Sequence, residues 1–311
     1  MQPNIDFVPL SIPRPDGSTI LSYVCADRVE LAHPKPVIVV LHGSGGNSVF
    51  AQHQGKWVQP FLFQPFQSLR DSWYVVYIEK RGVQLGDWVG FSGFDDCRPE
   101  YITHATREGR IEDVQQVISY LVDRQFYDGT ILAVVGHSEG GHVAAGVAAH
   151  NPYVTHLGLF PFSAGHGLFE FLLSIRSQLA SQKITADEFQ QQYAGWISKM
   201  QDIQAHPDAI DRQFGGHSYQ RWSSYAFGTP LRDLLTVSIP IFLGIGTLDP
   251  SGVGTDLAIA HFFQSGKQNL TYRHYINFDH DFNRHDGAEV QSGQSEVLSD
   301  LLQWIKGIGS P

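Results

Sequence analysis

The sequence predicts an α/β chain: a mostly parallel central sheet with helices on both faces, interrupted once by a helical insertion. Three observations carry this. Short aliphatic runs such as Val37-Ile38-Val39-Val40-Leu41 and Ile131-Leu132-Ala133-Val134-Val135 read as strands covered on both faces, because a parallel sheet between helix layers leaves no side for polar residues. These runs alternate with segments whose apolar residues recur at helical spacing, such as Ile111, Val114, Val117, Ile118 and Leu121. Between residues 163 and 235 the alternation stops, helix-like segments follow one another, and then the strands resume.

In chain order, residues 7–13 and 19–25 flank the turn signal Pro15-Asp16-Gly17-Ser18 and read as an antiparallel hairpin at the sheet edge. Residues 37–41 follow as a parallel strand. Residues 59–70 carry Phe61, Leu62, Phe66 and Leu69 in a helical pattern that Pro60 and Pro65 weaken or split. Residues 73–79 are the next strand, ending in Lys80-Arg81-Gly82. Residues 86–104 read as a long loop over the sheet edge, where Trp88, Phe91 and Phe94 either line a pocket or anchor the loop. A helix from 108 to 120 or beyond precedes the strand 131–135, and the helix 142–150 after it is stopped by Asn151-Pro152. Residues 154–160 are again a strand. Within the insertion, helices are expected at 167–181 and 185–204, the second opened by Thr185-Ala186-Asp187-Glu188. Strands at 237–246 and 272–276 and a closing helix at 295–308 complete the chain. The expected division is a core of 1–162 and 236–311 around an insertion of 163–235.

With 311 residues and 42% hydrophobic content, the chain has apolar material for one large core and an insertion. A formal charge of −10, with no run of Lys and Arg, argues against nucleic acid or an anionic membrane as the main partner. No apolar stretch reaches the roughly 18–20 residues of a bilayer span, and the N-terminus lacks the order of a signal peptide. The expectation is a cytoplasmic protein without a membrane span. Cys25 and Cys97 suggest neither a disulfide framework nor a metal site.

The stretch around which the chain is organised is Gly136-His137-Ser138-Glu139-Gly140-Gly141. With a strand before it and a helix after it, G-x-S-x-G puts Ser138 on a sharp turn, in a strained backbone conformation, with its hydroxyl at the carboxyl edge of the sheet. Gly136 and Gly140 remove side chains that would collide where strand and helix meet. The loop His42-Gly43-Ser44-Gly45-Gly46-Asn47 leaves its own strand at the same edge, and its glycines let backbone N–H groups approach a developing oxyanion. A phosphate-cradling reading lacks both the Gly-Lys-Ser/Thr ending and a G-x-G-x-x-G run.

On these motifs the chain resembles the α/β-hydrolase superfamily, in outline over nearly its whole length. Gly-His-Ser-Glu-Gly-Gly is similar to the esterase and serine-aminopeptidase-like branches. The resemblance implies the α/β-hydrolase fold with a helical cap at 163–235, and it involves no cofactor. It maps the oxyanion donors onto the backbone N–H groups of Ser44 and Glu139. It maps the acid onto Asp249, with Asp256 as fallback, and gives Arg81 a structural role. Among 15 histidines it favours His280, in Asn277-Phe278-Asp279-His280-Asp281-Phe282, over His285 and His274. Ser138, Asp249 and His280 stand in the chain order of this fold, each just after an expected strand.

A serine hydroxyl needs a base within reach and a carboxylate to orient that base. The implied function is therefore a serine hydrolase, carboxylesterase-like, that cleaves a carboxylic ester of a small-molecule acyl substrate through an acyl-enzyme. Aminopeptidase, amidase or thioesterase activity on the same triad is the alternative, with carbon–carbon bonds also open. From another class comes a non-catalytic protein of this fold that binds a small ligand. Asp279, His280, Asp281, Asn283, His285 and Asp286 lack a recognised metal-ligand spacing, so no metal is expected. Phe169, Phe171, Phe189, Tyr193, Trp196, Trp222, Tyr225 and Phe227 either roof an apolar substrate or form the insertion's own core.

Overall fold

A computed structural model describes residues 7–26, 31, 33–58, 62–90, 96–164, 167–228 and 230–307. Val8–Pro13 (β1) and Thr19–Cys25 (β2) form the expected hairpin, and Lys35–Leu41 (β3) enters the sheet beyond them. Ala51–His53 (β4) and Lys56–Val58 (β5) make a small separate hairpin that the sequence pattern did not announce. Phe63–Gln67 (α1) is five residues long, shorter than the expected helix, whose residues 59–61 lie outside the described ones. Tyr74–Ile78 (β6) follows. Pro99–His104 (α2) occupies the end of the expected long loop and starts with proline at its first position, where no N–H is needed. Phe91 and Phe94 lie outside the described residues.

Arg107–Asp123 (α3) packs before Tyr127–His137 (β7), which is 11 residues long and begins four residues earlier than its aliphatic run. Glu139–His150 (α4) starts on the residue after Ser138, and His156–Phe160 (β8) follows. Between β8 and the next strand of the main sheet lie Gly167–Ala180 (α5), Ala186–Ala205 (α6), the short pair Gln213–Phe214 (β9) and His217–Ser218 (β10), Tyr219–Ala226 (α7) and Pro230–Thr236 (α8). Thr185 and Glu188 form a reciprocal capping box: Thr185 Oγ1 accepts the Glu188 N–H at 3.2 Å, and Glu188 Oε2 accepts the Thr185 N–H at 2.8 Å. Ile241–Gly246 (β11), Gly252–Gln264 (α9), Leu270–Tyr275 (β12), the hairpin Asn283–Asp286 (β13) with Glu289–Ser292 (β14), and Gln294–Ile305 (α10) complete the described chain.

The main sheet has the order β1-β2-β6-β3-β7-β8-β11-β12. Pairs from β6 to β12 run parallel, and β1 and β2 attach antiparallel at one edge. Alternate residues of one strand enter two cores. Val37, Val39 and Leu41 belong to the core that includes residues of α3, α4, α8 and α9, whereas Ile38 and Val40 belong to the one that includes residues of α1 and α10 on the other face. Both faces are therefore covered, which is why these strands read as unbroken aliphatic runs. Helix α9 went unread because its apolar residues fall on more than one face: Ala258 and Phe262 are buried whereas Val253 and Phe263 are exposed. Among the described residues, no helix is long and apolar enough to cross a membrane.

Candidate active site

Ser138 lies between β7 and α4 with φ 55° and ψ −124°, a left-handed backbone that a residue with a Cβ adopts only under strain. Close packing holds it there. A Cβ added at Gly140 would lie 2.1 Å from the Leu41 carbonyl oxygen, and one at Gly136 would lie 2.4 Å from that of Gly140. The Ser138 N–H is fixed by the Pro161 carbonyl at 2.9 Å, beyond the end of β8. The His42–Asn47 loop lies against this turn: the Cβ position of Gly43 is 3.2 Å from Ser138 Cβ. Ser44, Ser138 and Glu139 line one cavity.

His280 Nδ1–H donates to Asp249 Oδ2 at 2.9 Å, and the Asp249 side chain is 1% exposed whereas that of His280 is 40% exposed. The second oxygen, Asp249 Oδ1, accepts the Ser251 N–H at 2.8 Å. Burial opposes ionisation of Asp249, yet the hydrogen bond and charge of His280 together with the hydrogen bonds from Ser251 outweigh it and lower its pKa. Burial likewise opposes protonation of His280, yet the bond to Asp249 and the nearby carboxylates raise its pKa. His280 shares the cavity of Ser138, although no hydrogen bond joins the two among the described residues. The fallback Asp256 lies elsewhere, 3.5 Å from His274, and His285 is held by Asp279 at 2.8 Å. The described residues contain no group of three or more His, Cys, Asp or Glu arranged to hold a metal ion.

A buried charge cluster that sequence reasoning missed surrounds this turn. Glu139 Oε1 accepts from Arg110 Nη1 at 2.7 Å, and Glu139 Oε2 pairs with Arg221 of α7. Burial disfavours the Glu139 carboxylate, but the guanidinium groups of Arg221 and Arg110 hold its pKa well below the usual range. Arg110 also donates to the His42 carbonyl at 3.1 Å. Lys80 Nζ donates to the Gly43 and Gly45 carbonyls at 2.6 and 2.5 Å. Arg110 and Lys80 therefore hold the loop that carries Ser44 through its carbonyl groups. Burial, aided by the charge of Arg110, pushes Lys80 down to about 7. His137 Nε2–H donates to the His280 carbonyl at 3.0 Å, which ties the serine strand to the histidine loop. A lysine directly after an aliphatic strand was the one visible hint of this cluster.

The cavity, about 450 Å³, is lined by Phe171, Trp196, Phe214, Trp222 and Tyr225 among others. The other expected aromatics lie elsewhere. Phe189 packs on Tyr193, Phe169 is exposed, and Phe227 joins a small core with Met200, Ile203 and Tyr219. Trp88 packs against His53 outside the cavity. Arg81 pairs with Asp16 at 2.7 Å and Glu100 at 3.3 Å, also away from Ser138. Neither Cys25 nor Cys97 is in a disulfide, and burial pushes Cys25 up to about 12.

Solved structures with this arrangement of strands and helices are numerous, and all of the following share low sequence identity with the chain. The DcsB complex with its substrate analogue superposes with a TM-score of 0.60 at 15% identity, covering 98% of this chain and 100% of the other. A thermostable carboxyl esterase from Bacillus coagulans gives 0.53 at 18% identity, covering 98% and 99%. Dipeptidyl peptidase 4 from Porphyromonas gingivalis gives 0.59 at 12% identity over 97% of this chain, which spans 35% of that enzyme's length. No curated protein sequence matches the chain. The model of the alpha/beta hydrolase family matches residues 38–288, from the first parallel strand past the histidine loop, and the chain belongs to that family.

Proposed function

We propose that this chain is a serine hydrolase that cleaves a carboxylic ester through Ser138, His280 and Asp249. The observation that carries the reading is the hydrogen bond from His280 to the buried Asp249, with His280 lining the same cavity as the strained Ser138 turn. In this reading His280 Nε2 takes the Ser138 proton as Oγ attacks the acyl carbon. Asp249 fixes the tautomer with the proton on Nδ1 and stabilises the imidazolium. The tetrahedral oxyanion is received by the N–H groups of Ser44 and Glu139, the latter at the positive end of α4. Collapse returns the proton to the leaving alcohol and forms the acyl-enzyme; water activated by the same histidine then releases the acid. Closure of the Ser138–His280 distance on substrate binding fits the looser contacts common in free enzymes.

In the same reading residues 163–235 form a cap over a core of 1–162 and 236–311, supplying the aromatic roof. Its contact with Glu139 through Arg221 couples cap placement to an oxyanion donor. An amide or peptide bond is the second reading, and the cavity favours it through Glu170, whose Oε1 is buried without a partner and suits an amine. A thioester would pass through the same steps. The test is labelling with a fluorophosphonate probe followed by peptide mapping. Stoichiometric labelling of Ser138, lost in Ser138→Ala and slowed in His280→Ala, is the expected result. Folded wild-type protein that takes no label would instead favour a ligand-binding protein of this fold.

A further inference from the structure

Two carboxylates line the Ser138 cavity among its described residues, and they differ in their partners. Glu139 is neutralised by Arg110 and Arg221. Glu170, on α5, makes no hydrogen bond or ion pair among the described residues, and its Oε1 is buried without a partner. Burying an unpaired carboxylate is costly, and the fold gains nothing visible in return. Burial, with the nearby charge of Asp249, pushes Glu170 up to about 7, against the opposing influence of His280. The carboxylate therefore lies within electrostatic reach of the Asp249–His280 pair.

The adjoining wall has a matching chemistry. Phe171, next to Glu170, stacks on Trp196 with ring centroids 3.8 Å apart. Trp196 meets Phe214 edge-on at 4.9 Å, and Phe214 meets Trp222 at 5.9 Å. All four rings line the cavity. Aromatic faces attract a cation through their quadrupole, and a carboxylate beside them accepts its N–H bonds. Arg221, the cation on this cavity wall, is already engaged by Glu139 and leaves Glu170 unneutralised.

Resting on the reading of Ser138 as the nucleophile, we propose that Glu170 and the adjoining aromatic wall form a subsite for a cationic amine. The acyl substrates this pocket favours carry a free ammonium group. Glu170 is thus a specificity residue, and the preferred substrates are amino-acid-like esters or amides rather than simple alkyl esters.

The experiment compares kcat/KM for methyl esters of phenylalanine, β-alanine and 6-aminohexanoic acid, each as the free amine and N-acetylated. Wild type is expected to favour at least one free amine by roughly tenfold or more, the scale of a charge-assisted hydrogen bond in a desolvated pocket. In Glu170→Gln that ratio should fall to near one. Taking a ratio cancels any effect of the substitution on His280. In parallel, calorimetry measures 2-phenylethylamine and 2-phenylethanol binding to Ser138→Ala, with and without Glu170→Gln. Tighter binding of the amine by roughly tenfold, lost with Glu170, supports the subsite. Equal binding of amine and alcohol, or a preference that survives Glu170→Gln, overturns it. If no ester is turned over and Ser138 takes no fluorophosphonate, the hydrolase reading fails by itself and calorimetry alone decides the subsite.

Discussion

Replacing Glu139 with glutamine keeps the shape of the side chain and removes its charge, leaving Arg110 and Arg221 buried with no carboxylate between them. The Glu139 side chain is 6% exposed and those of its two partners are each 9% exposed, so water cannot solvate the orphaned guanidinium groups. Removing one partner from such a site costs about 3–5 kcal/mol, against roughly 0–1 kcal/mol for an exposed pair. At about 2 °C per kcal/mol for a large domain, the melting temperature should fall by at least about 6 °C. Urea and thermal unfolding followed by circular dichroism would measure this. The pH dependence adds a second reading. The folded pKa of Glu139 lies below its unfolded value, so its stabilisation is present in full above the unfolded carboxyl pKa and is lost as pH falls through the folded one. The gap between wild type and Glu139→Gln should therefore be full at pH 7 and shrink below about pH 4. A loss under about 1 kcal/mol at pH 7, or a gap that does not change on acidification, would refute the argument.

Other outcomes follow from the same geometry. His280 carries a raised pKa and acts as base only when neutral, so the acid limb of kcat/KM should lie above about 6.5. Asp249→Asn should lower kcat by roughly 10⁴-fold and move that limb down, and a pH–rate profile unchanged by the substitution would remove Asp249 from its role. Gly140→Ala drives a methyl group to 2.1 Å from a backbone oxygen, and we expect little soluble protein; a variant with normal expression and melting temperature would contradict the close-packed turn. Thr185→Ala breaks the capping box of α6 at a cost of about 1 kcal/mol, read as a shift in the urea midpoint.

Local chemistry alone determined a good part of this protein. Aliphatic strands sandwiched between helices, a glycine-flanked serine after one of them and an Asp and a His after two others were all legible, because each depends on residues adjacent in the chain. The capping box at Thr185 was legible for the same reason. Features with weak or distant signals were not. Helix α9 carries apolar residues on its exposed as well as its buried face, the hairpin of β13 and β14 is mostly exposed, so neither produces a period, and β7 extends beyond its aliphatic run through exposed residues. Only the tertiary structure decided which charges meet. Arg110, Glu139 and Arg221 come from α3, α4 and α7, and Lys80 reaches the Gly43 and Gly45 carbonyls from the end of a neighbouring strand. Nor did the sequence single out Glu170 from the other carboxylates, since its significance lies in lining the Ser138 cavity with a buried Oε1 that has no partner. Backbone periodicity is written in neighbouring residues, whereas pairing and desolvation of charge arise when distant segments are brought together.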